Sequence, residues 1–201
     1  IKEFIEIVTG WETRNKYVVL NGAGQQMFYV FEESGWCSRM CWRKDRGFIL
    51  HVVDNYANEI MRMTREFSCW AGCSMCADPG SCWSHELVVE APVGNVIGTV
   101  QQRAACCTNS YIVNDRDGKS IFDLEGPCCC EMLGCQDKVY PVRTTRGVEV
   151  GEIRKSWAGI LQESFTDADN FGVSFPMDLS ICSKATLIGA TFLIDFMNFE
   201  Q

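Results

Sequence analysis

Five times along this chain, an alternating apolar run meets a short turn rich in Asn, Asp or Gly, and a second alternating run follows. Lys16 to Leu20 leads through Asn21-Gly22-Ala23-Gly24 into Gln25 to Phe31, and Phe48 to Val53 turns at Asp54 to Asn58 into Glu59 to Arg65. His85 to Glu90 turns at Pro92-Val93-Gly94-Asn95 into Val96 to Gln102. Tyr111 to Val113 turns at Asn114 to Gly118 into Lys119 to Leu124, and Lys138 to Arg143 turns near Thr145-Arg146-Gly147 into Val148 to Arg154. Period-two alternation on both sides of such turn chemistry is the signature of a β-hairpin. Phe4 to Thr9 and Gly172 to Phe175 add two further strand candidates, which predicts about twelve strands. So many antiparallel strands in one unit imply a sandwich or a closed barrel, because closure removes exposed edges. Residues 1–201 are read as a single domain.

The last stretch breaks this rhythm. Lys184 to Phe199 is apolar nearly all round and suits a helix. Such a helix is buried either in protein or in lipid. A bilayer core takes about 20 apolar residues, whereas shorter runs mark core helices. Thr186 to Phe199 falls at the short end and carries Asp195, whose charge is costly at mid-membrane. The reading that follows is a helix lying along the axis of a barrel of about twelve strands, which is wide enough to hold one. Leu187, Ile188, Phe192, Leu193, Asp195 and Phe196 are its candidate buried residues.

Charge narrows the partners. The net charge is −8 and the pI near 4.8. Arg43-Lys44-Asp45-Arg46 is the longest basic cluster, and it is short and interrupted. Nucleic-acid binding, which needs a basic face, is not expected. An acidic surface also repels anionic lipid unless a cation or a lipid anchor intervenes. His51 and His85 fall within strand patterns as surface or cross-strand residues. No Ser/His/Asp or paired-carboxylate arrangement is legible, so neither a hydrolytic nor a redox active site is argued.

Thirteen cysteines are the unusual element of the composition. The odd number leaves at least one without an intramolecular partner. They bunch at Cys37/Cys41, Cys69/Cys73/Cys76/Cys82, Cys106/Cys107 and Cys128/Cys129/Cys130/Cys135, between the hairpins rather than within strands. Loops of that kind can bring the clusters together. Clustering suits metal binding, acylation or redox chemistry better than a secreted disulfide framework. Cys73-x-x-Cys76 with Cys69 and Cys82 supplies four thiolates, enough for a tetrahedral zinc site or an iron–sulfur cluster, although the spacing is irregular for a zinc finger.

Asp167 to Asp178 invites two readings. As a twelve-residue calcium loop, Asp167 and Asp169 take positions 1 and 3, Gly172 the turning position 6, the Val173 carbonyl position 7 and Asp178 position 12. Phe171 stands at position 5 and Asp178 replaces the usual bidentate Glu, so binding of the 10⁻⁴–10⁻³ M order is expected. As plain structure, the acids cap a turn and Phe171, Val173 and Phe175 alternate along a strand.

The string Ser156-Trp157-Ala158-Gly159-Ile160-Leu161-Gln162-Glu163-Ser164-Phe165-Thr166-Asp167-Ala168-Asp169-Asn170-Phe171-Gly172-Val173-Ser174-Phe175-Pro176-Met177-Asp178, with the helix Leu187 to Glu200, resembles the C-terminal signature of the phospholipid scramblases. Val8-Thr9-Gly10-Trp11-Glu12-Thr13, Asn15-Lys16-Tyr17 and Glu125-Gly126-Pro127-Cys128 extend the resemblance over essentially the whole chain. The resemblance implies a tubby-like barrel of twelve strands around a central hydrophobic helix. It further implies a calcium site at Asp167, Asp169, Phe171, Val173 and Asp178, a palmitoylated segment at Cys69, Cys73, Cys76 and Cys82, and association with a plasma or other cell membrane at its cytoplasmic face. Protein partners and a calcium-dependent oligomer come with it. The chain opens mid-pattern at Ile1-Lys2-Glu3-Phe4 and is read as lacking an N-terminal Pro-rich segment. The cysteine run is sparser than the family's, and Gly151 to Trp157, with Glu152 and only two adjacent bases, departs from the family's basic nuclear-import stretch.

Three functional readings result. The first is a calcium-responsive, ATP-independent scramblase that moves phospholipids in both directions between leaflets; the chain holds no phosphate-cradling nucleotide loop. The second is a membrane-tethered adaptor that binds lipid or protein and affects scrambling indirectly. The third, a thiol-rich metal or redox protein, rests on the cysteines alone.

Overall fold

A computed structural model describes residues 2–10, 16–35, 45–68, 77, 83–132, 136–156 and 170–199. Among the described residues the chain is mainly β, as the hairpin pattern predicts, with one long helix following the last strand. The strands are β1 (Lys2–Gly10), β2 (Lys16–Asn21), β3 (Gln26–Glu33), β4 (Phe48–Val53), β5 (Glu59–Arg65) and β6 (Glu86–Glu90). They continue as β7 (Val96–Arg103), β8 (Thr108–Asp115), β9 (Ser120–Cys128), β10 (Lys138–Thr144), β11 (Glu149–Ser156) and β12 (Asn170–Pro176). A short helix α1 (Cys129–Met132) follows β9, and the long helix α2 spans Ile181–Asn198.

All pairings are antiparallel, and each strand lies beside its sequence neighbours. The ring is completed by β1, which pairs with β2 through Ile7↔Val19 and with β12 through Ile5↔Val173. Turn chemistry sets each hairpin. Gly24, Gly94, Gly118 and Gly147 take positive φ at the β2–β3, β6–β7, β8–β9 and β10–β11 turns, a conformation that costs glycine little. The Asn21, Asp54 and Asp115 side chains accept hydrogen bonds from backbone amides two and four residues on, which closes their turns locally.

Alternation then decides what is inside. Phe48, Leu50 and Val52 of β4, Met61 and Met63 of β5, and Phe171, Val173 and Phe175 of β12 are buried against α2 and one another. Every residue of α2 from Thr186 to Phe196 is buried. This explains its composition: a helix ringed by strands has no solvent face to make polar. Leu187, Ile188, Phe192, Leu193, Ile194 and Phe196 are all at most 6% exposed. At roughly 1.5–3 kcal/mol per buried side chain, withdrawing these six into water would cost on the order of 10 kcal/mol. That is comparable with the whole stability of an ordinary domain, so α2 is part of the fold. No described helix is long and apolar enough to cross a membrane.

The helix touches the wall closely at two glycines. A Cβ on Gly189 would meet Val89 Cγ2 at 2.8 Å, and one on Gly98 would meet Thr186 Oγ1 at 2.7 Å. Any side chain at either position would push helix and strand apart. Ser180 caps α2, its hydroxyl accepting from the Ser183 amide.

Candidate functional site

Because the strands alternate in direction, the connections divide between two rims. One rim carries the tight turns 22–25, 54–58, 91–95, 116–119 and 145–148, with the entrance to α2 at 177–180. The other rim is where the strand ends flanking 11–15, 34–47, 66–85, 104–107, 129–137 and 157–169 lie. Set against the sequence, this division sorts two residue types. Twelve of the thirteen cysteines, all but Cys182, fall in or at the edge of the second group of segments. All six tryptophans fall there too: Trp11, Trp36, Trp42, Trp70, Trp83 and Trp157. The segments joined to the second rim are therefore the chemically distinctive ones in the sequence.

At that rim, buried charge closes the barrel around the end of α2. The Arg46 guanidinium donates from Nε and Nη2 to the two carboxylate oxygens of Glu32 at 3.0 and 3.1 Å, both residues being buried. Arg65 donates to the Arg46 carbonyl from Nε at 3.1 Å and Nη2 at 2.5 Å, and lies 4.5 Å over the Phe48 ring. Phe48 stacks on Phe196 with centroids 4.0 Å apart, and Arg46 lies 5.0 Å over the same Phe196. Two guanidinium groups thus sit beside the last turns of α2, where the helix dipole favours positive charge. Tyr17 Oη donates to Asp195 Oδ2 at 2.9 Å, and Asn198 Nδ2 donates to the Tyr111 hydroxyl at 2.9 Å. Burial pushes the Tyr111 phenol well above its ordinary value, so it stays neutral at any physiological pH. The buried Lys138 ammonium donates to the Glu131 carbonyl and ties α1 to β10.

The candidate calcium residues separate. Phe171 and Val173 lie in β12, their side chains buried, their backbone paired to β1 on one side and β11 on the other. Residues 170–176 are therefore strand, and the single twelve-residue loop over Asp167 to Asp178 is not formed. A strand of that length spans roughly 20 Å. It places the exposed Asp178 at the tight-turn rim, away from the Asn170 end. Asp167 and Asp169 lie outside the described residues. Only the alternating-strand reading accounts for Phe171, Val173 and Phe175.

Cys69, Cys73, Cys76 and Cys82 also lie outside the described residues. The segment holding them leaves β5 past Phe67, which is 48% exposed, and returns through Trp83, which is 39% exposed. Among the described residues no three His, Cys, Asp or Glu side chains are set to hold a metal. Cys106 and Cys107 are exposed in the β7–β8 connection, their Sγ atoms 3.7 Å apart. Leu187, Ile188, Phe192, Leu193, Asp195 and Phe196 are all inside the barrel.

His51 has the expected cross-strand role, whereas His85, expected at a surface or cross-strand position, is buried just before β6. His51 contacts Glu59 Oε1 at 2.7 Å and Glu33 Oε2 at 2.9 Å, and stacks on Phe31. The Arg62 guanidinium, with His51 adding to it, holds the Glu59 carboxyl below its usual value. His85 is buried, its Nε2 3.3 Å from Asp45 Oδ1. Sequence reasoning did not identify the Arg46–Glu32–Arg65 closure, whose signal was three charged residues falling on inward positions of a strand or at its edge. Nor did it sort the connections by rim, although alternation of direction alone gives that result.

The Scramblase family matches residues 1–201 of this chain. The chain is 38% identical to "Phospholipid scramblase 1" of Homo sapiens over 203 residues, covering 99% of this chain and 61% of that protein. It is 34% identical to "Phospholipid scramblase 2" of Bos taurus, covering 99% and 66%. It is also 34% identical to "Phospholipid scramblase family member 5" of Homo sapiens, covering 99% and 71%. The chain spans about three fifths of the length of the first of these relatives. No solved structure matches. The full-length family match shows that this chain belongs to the Scramblase family.

Proposed function

We propose that this chain is the core of a calcium-responsive, ATP-independent phospholipid scramblase that works at the membrane as an intact tubby-like barrel, with α2 inside and the thiol-rich rim toward the bilayer. The observation that carries this reading is that all six tryptophans and twelve of thirteen cysteines belong to, or border, the segments joined to the strand ends of one rim. Tryptophan favours the headgroup layer, where an apolar ring and a polar N–H are both satisfied. Thioester-linked acyl chains on Cys69, Cys73, Cys76 or Cys82 would anchor the same end, and stable anchoring takes two such signals. Asp167 and Asp169 belong to the connection between Ser156 and Asn170, whose described ends lie at this rim as well. Calcium held there would screen an acidic protein from anionic headgroups, and affinity of the 10⁻⁴–10⁻³ M order suits so few charged ligands.

The test is reconstitution of the purified chain in vesicles carrying a leaflet-specific fluorescent phospholipid. Calcium without ATP should equilibrate the label between leaflets, and Asp167→Ala with Asp169→Ala should abolish the effect. The adaptor reading is favoured by one observation: α2 already fills the barrel, so the interior offers headgroups no polar path. Vesicle binding without label exchange at any calcium level would establish that reading and sink the scramblase one.

A further inference from the structure

Neither calcium nor acylation involves the rim of tight turns, yet among the described residues it displays the most exposed large hydrophobic side chains. Tyr56 in the β4–β5 turn is 87% exposed, and Ile181 at the start of α2 is 85% exposed. Val148 in the β10–β11 turn and Met177 at the entrance to α2 follow, each more than half exposed. Each connection is closed by its own side chains. The Asp54 carboxylate accepts from the Tyr56 amide, the Thr144 hydroxyl from the Val148 amide, and Ser180 caps the turn of helix that Ile181 opens. Side chains presented on turns already fixed in this way lose little further freedom on binding.

The charges between them cancel. The turn segments of this rim hold Arg116, Lys119 and Arg146 against Asp54, Asp117 and Asp178, in a chain whose net charge is −8. Among the acids bordering these turns, Glu3 pairs with Lys184 and Glu59 with Arg62. Glu90 and Asp115 accept hydrogen bonds from turn amides, and Glu149 is exposed beside Val148. An acidic surface repels anionic lipid. A rim of balanced charge does not repel a zwitterionic surface, whose phosphate and ammonium groups accommodate exposed cations and acids alike. Apolar tips then reach past the headgroups, a layer that tyrosine in particular favours.

We propose that the rim of tight turns is a second, calcium-independent contact for a zwitterionic phospholipid surface, with Tyr56 and Ile181 as its inserting side chains. One consequence rests on the orientation proposed above. A chain anchored to one bilayer by its other rim would hold a second bilayer about one strand length away, roughly 20 Å, and so bridge two membranes.

Unacylated chain is floated with phosphatidylcholine vesicles in chelator, at low and at high salt. The wild type should float at both. Tyr56→Ser with Ile181→Ser should lower its partition roughly tenfold while leaving thermal unfolding in place, since both side chains are exposed. A wild type that does not float, a variant that floats as well, or flotation abolished by salt would each overturn the contact. No flotation, together with a dimer in sedimentation velocity that the same variant dissolves, would give the rim to a second copy of the chain. Bridging is then read as energy transfer between donor-labelled and acceptor-labelled vesicles in calcium, which the wild type should produce and the variant should not. Flotation in chelator without bridging in calcium would leave the contact standing and overturn the orientation of the other rim. Failure of leaflet exchange alone would sink the scrambling reading and leave both measurements as they are.

Discussion

The hydroxyl of Tyr17, on β2, donates to the Asp195 carboxylate of α2 at 2.9 Å across the interior of the barrel. Both residues are buried, and the Tyr17 ring packs edge-on against Phe192 at 4.9 Å. The single acid of α2 is thus received by the wall. Asp195, a poor residue for a membrane span, is a specific contact within the fold. Tyr17→Phe deletes the donor and little volume, and should lower unfolding free energy by roughly 1–3 kcal/mol. Chemical denaturation measures it; an unchanged midpoint would mean that the helix is not seated as described.

The Arg46–Glu32 pair makes a different prediction. Both partners are buried, so removing one strands the other's charge and should cost roughly 3–5 kcal/mol. Replacing both, Glu32→Leu with Arg46→Met, should cost less than either single change. A double variant as unstable as the sum of the singles would show that the two act separately.

Acid should weaken the outer face of β4 and β5 in a defined direction. Arg62, and then His51, hold the Glu59 carboxyl below its ordinary value of 4.5. A lowered folded value means that the contribution is fully present above pH 4.5 and is lost as pH falls through the lower folded value. Glu59→Gln should therefore flatten the stability profile below pH 4.5. Parallel profiles for variant and wild type in that range would count against the cluster.

Calcium binding should depend unequally on the three acids of the 167–178 string. Asp178 is at the tight-turn rim, whereas residues 157–169 join strands at the other. Asp178→Ala should leave calcium affinity within about threefold of wild type, and Asp167→Ala with Asp169→Ala should reduce it at least tenfold. Isothermal titration decides between this and a continuous loop, which would require equal losses.

Much of the fold is legible in the sequence because its signals are local. Asn21, Asp54 and Asp115 close their own turns, and alternation does the rest, so the strand pairs emerge from the residues alone. The core helix is legible for the same reason: Thr186 to Phe196 has no polar face. The ligand loop illustrates what local pattern cannot resolve. Asp-x-Asp followed by Gly172 fits a loop, and Phe171, Val173 and Phe175 fit a strand. The choice is made by β1 and β11, which pair with β12 from either side and are distant in sequence. The buried Arg46, Arg65 and Glu32 are similarly invisible, because their partners are brought together only when β3 to β5 and α2 assemble. That the connections rich in cysteine and tryptophan all join strand ends of one rim follows from strand direction, a property of the whole ring rather than of any segment.

The account turns on lipids moving while α2 stays enclosed. Photoactivatable phospholipids, triggered in vesicles during calcium-stimulated exchange, and peptide mapping of the adducts test it most directly. Adducts should fall in the segments that leave the thiol-rich rim, with Thr186 to Phe196 unlabelled. Adducts on Leu187, Phe192 or Phe196 would contradict the account by placing the helix in the bilayer.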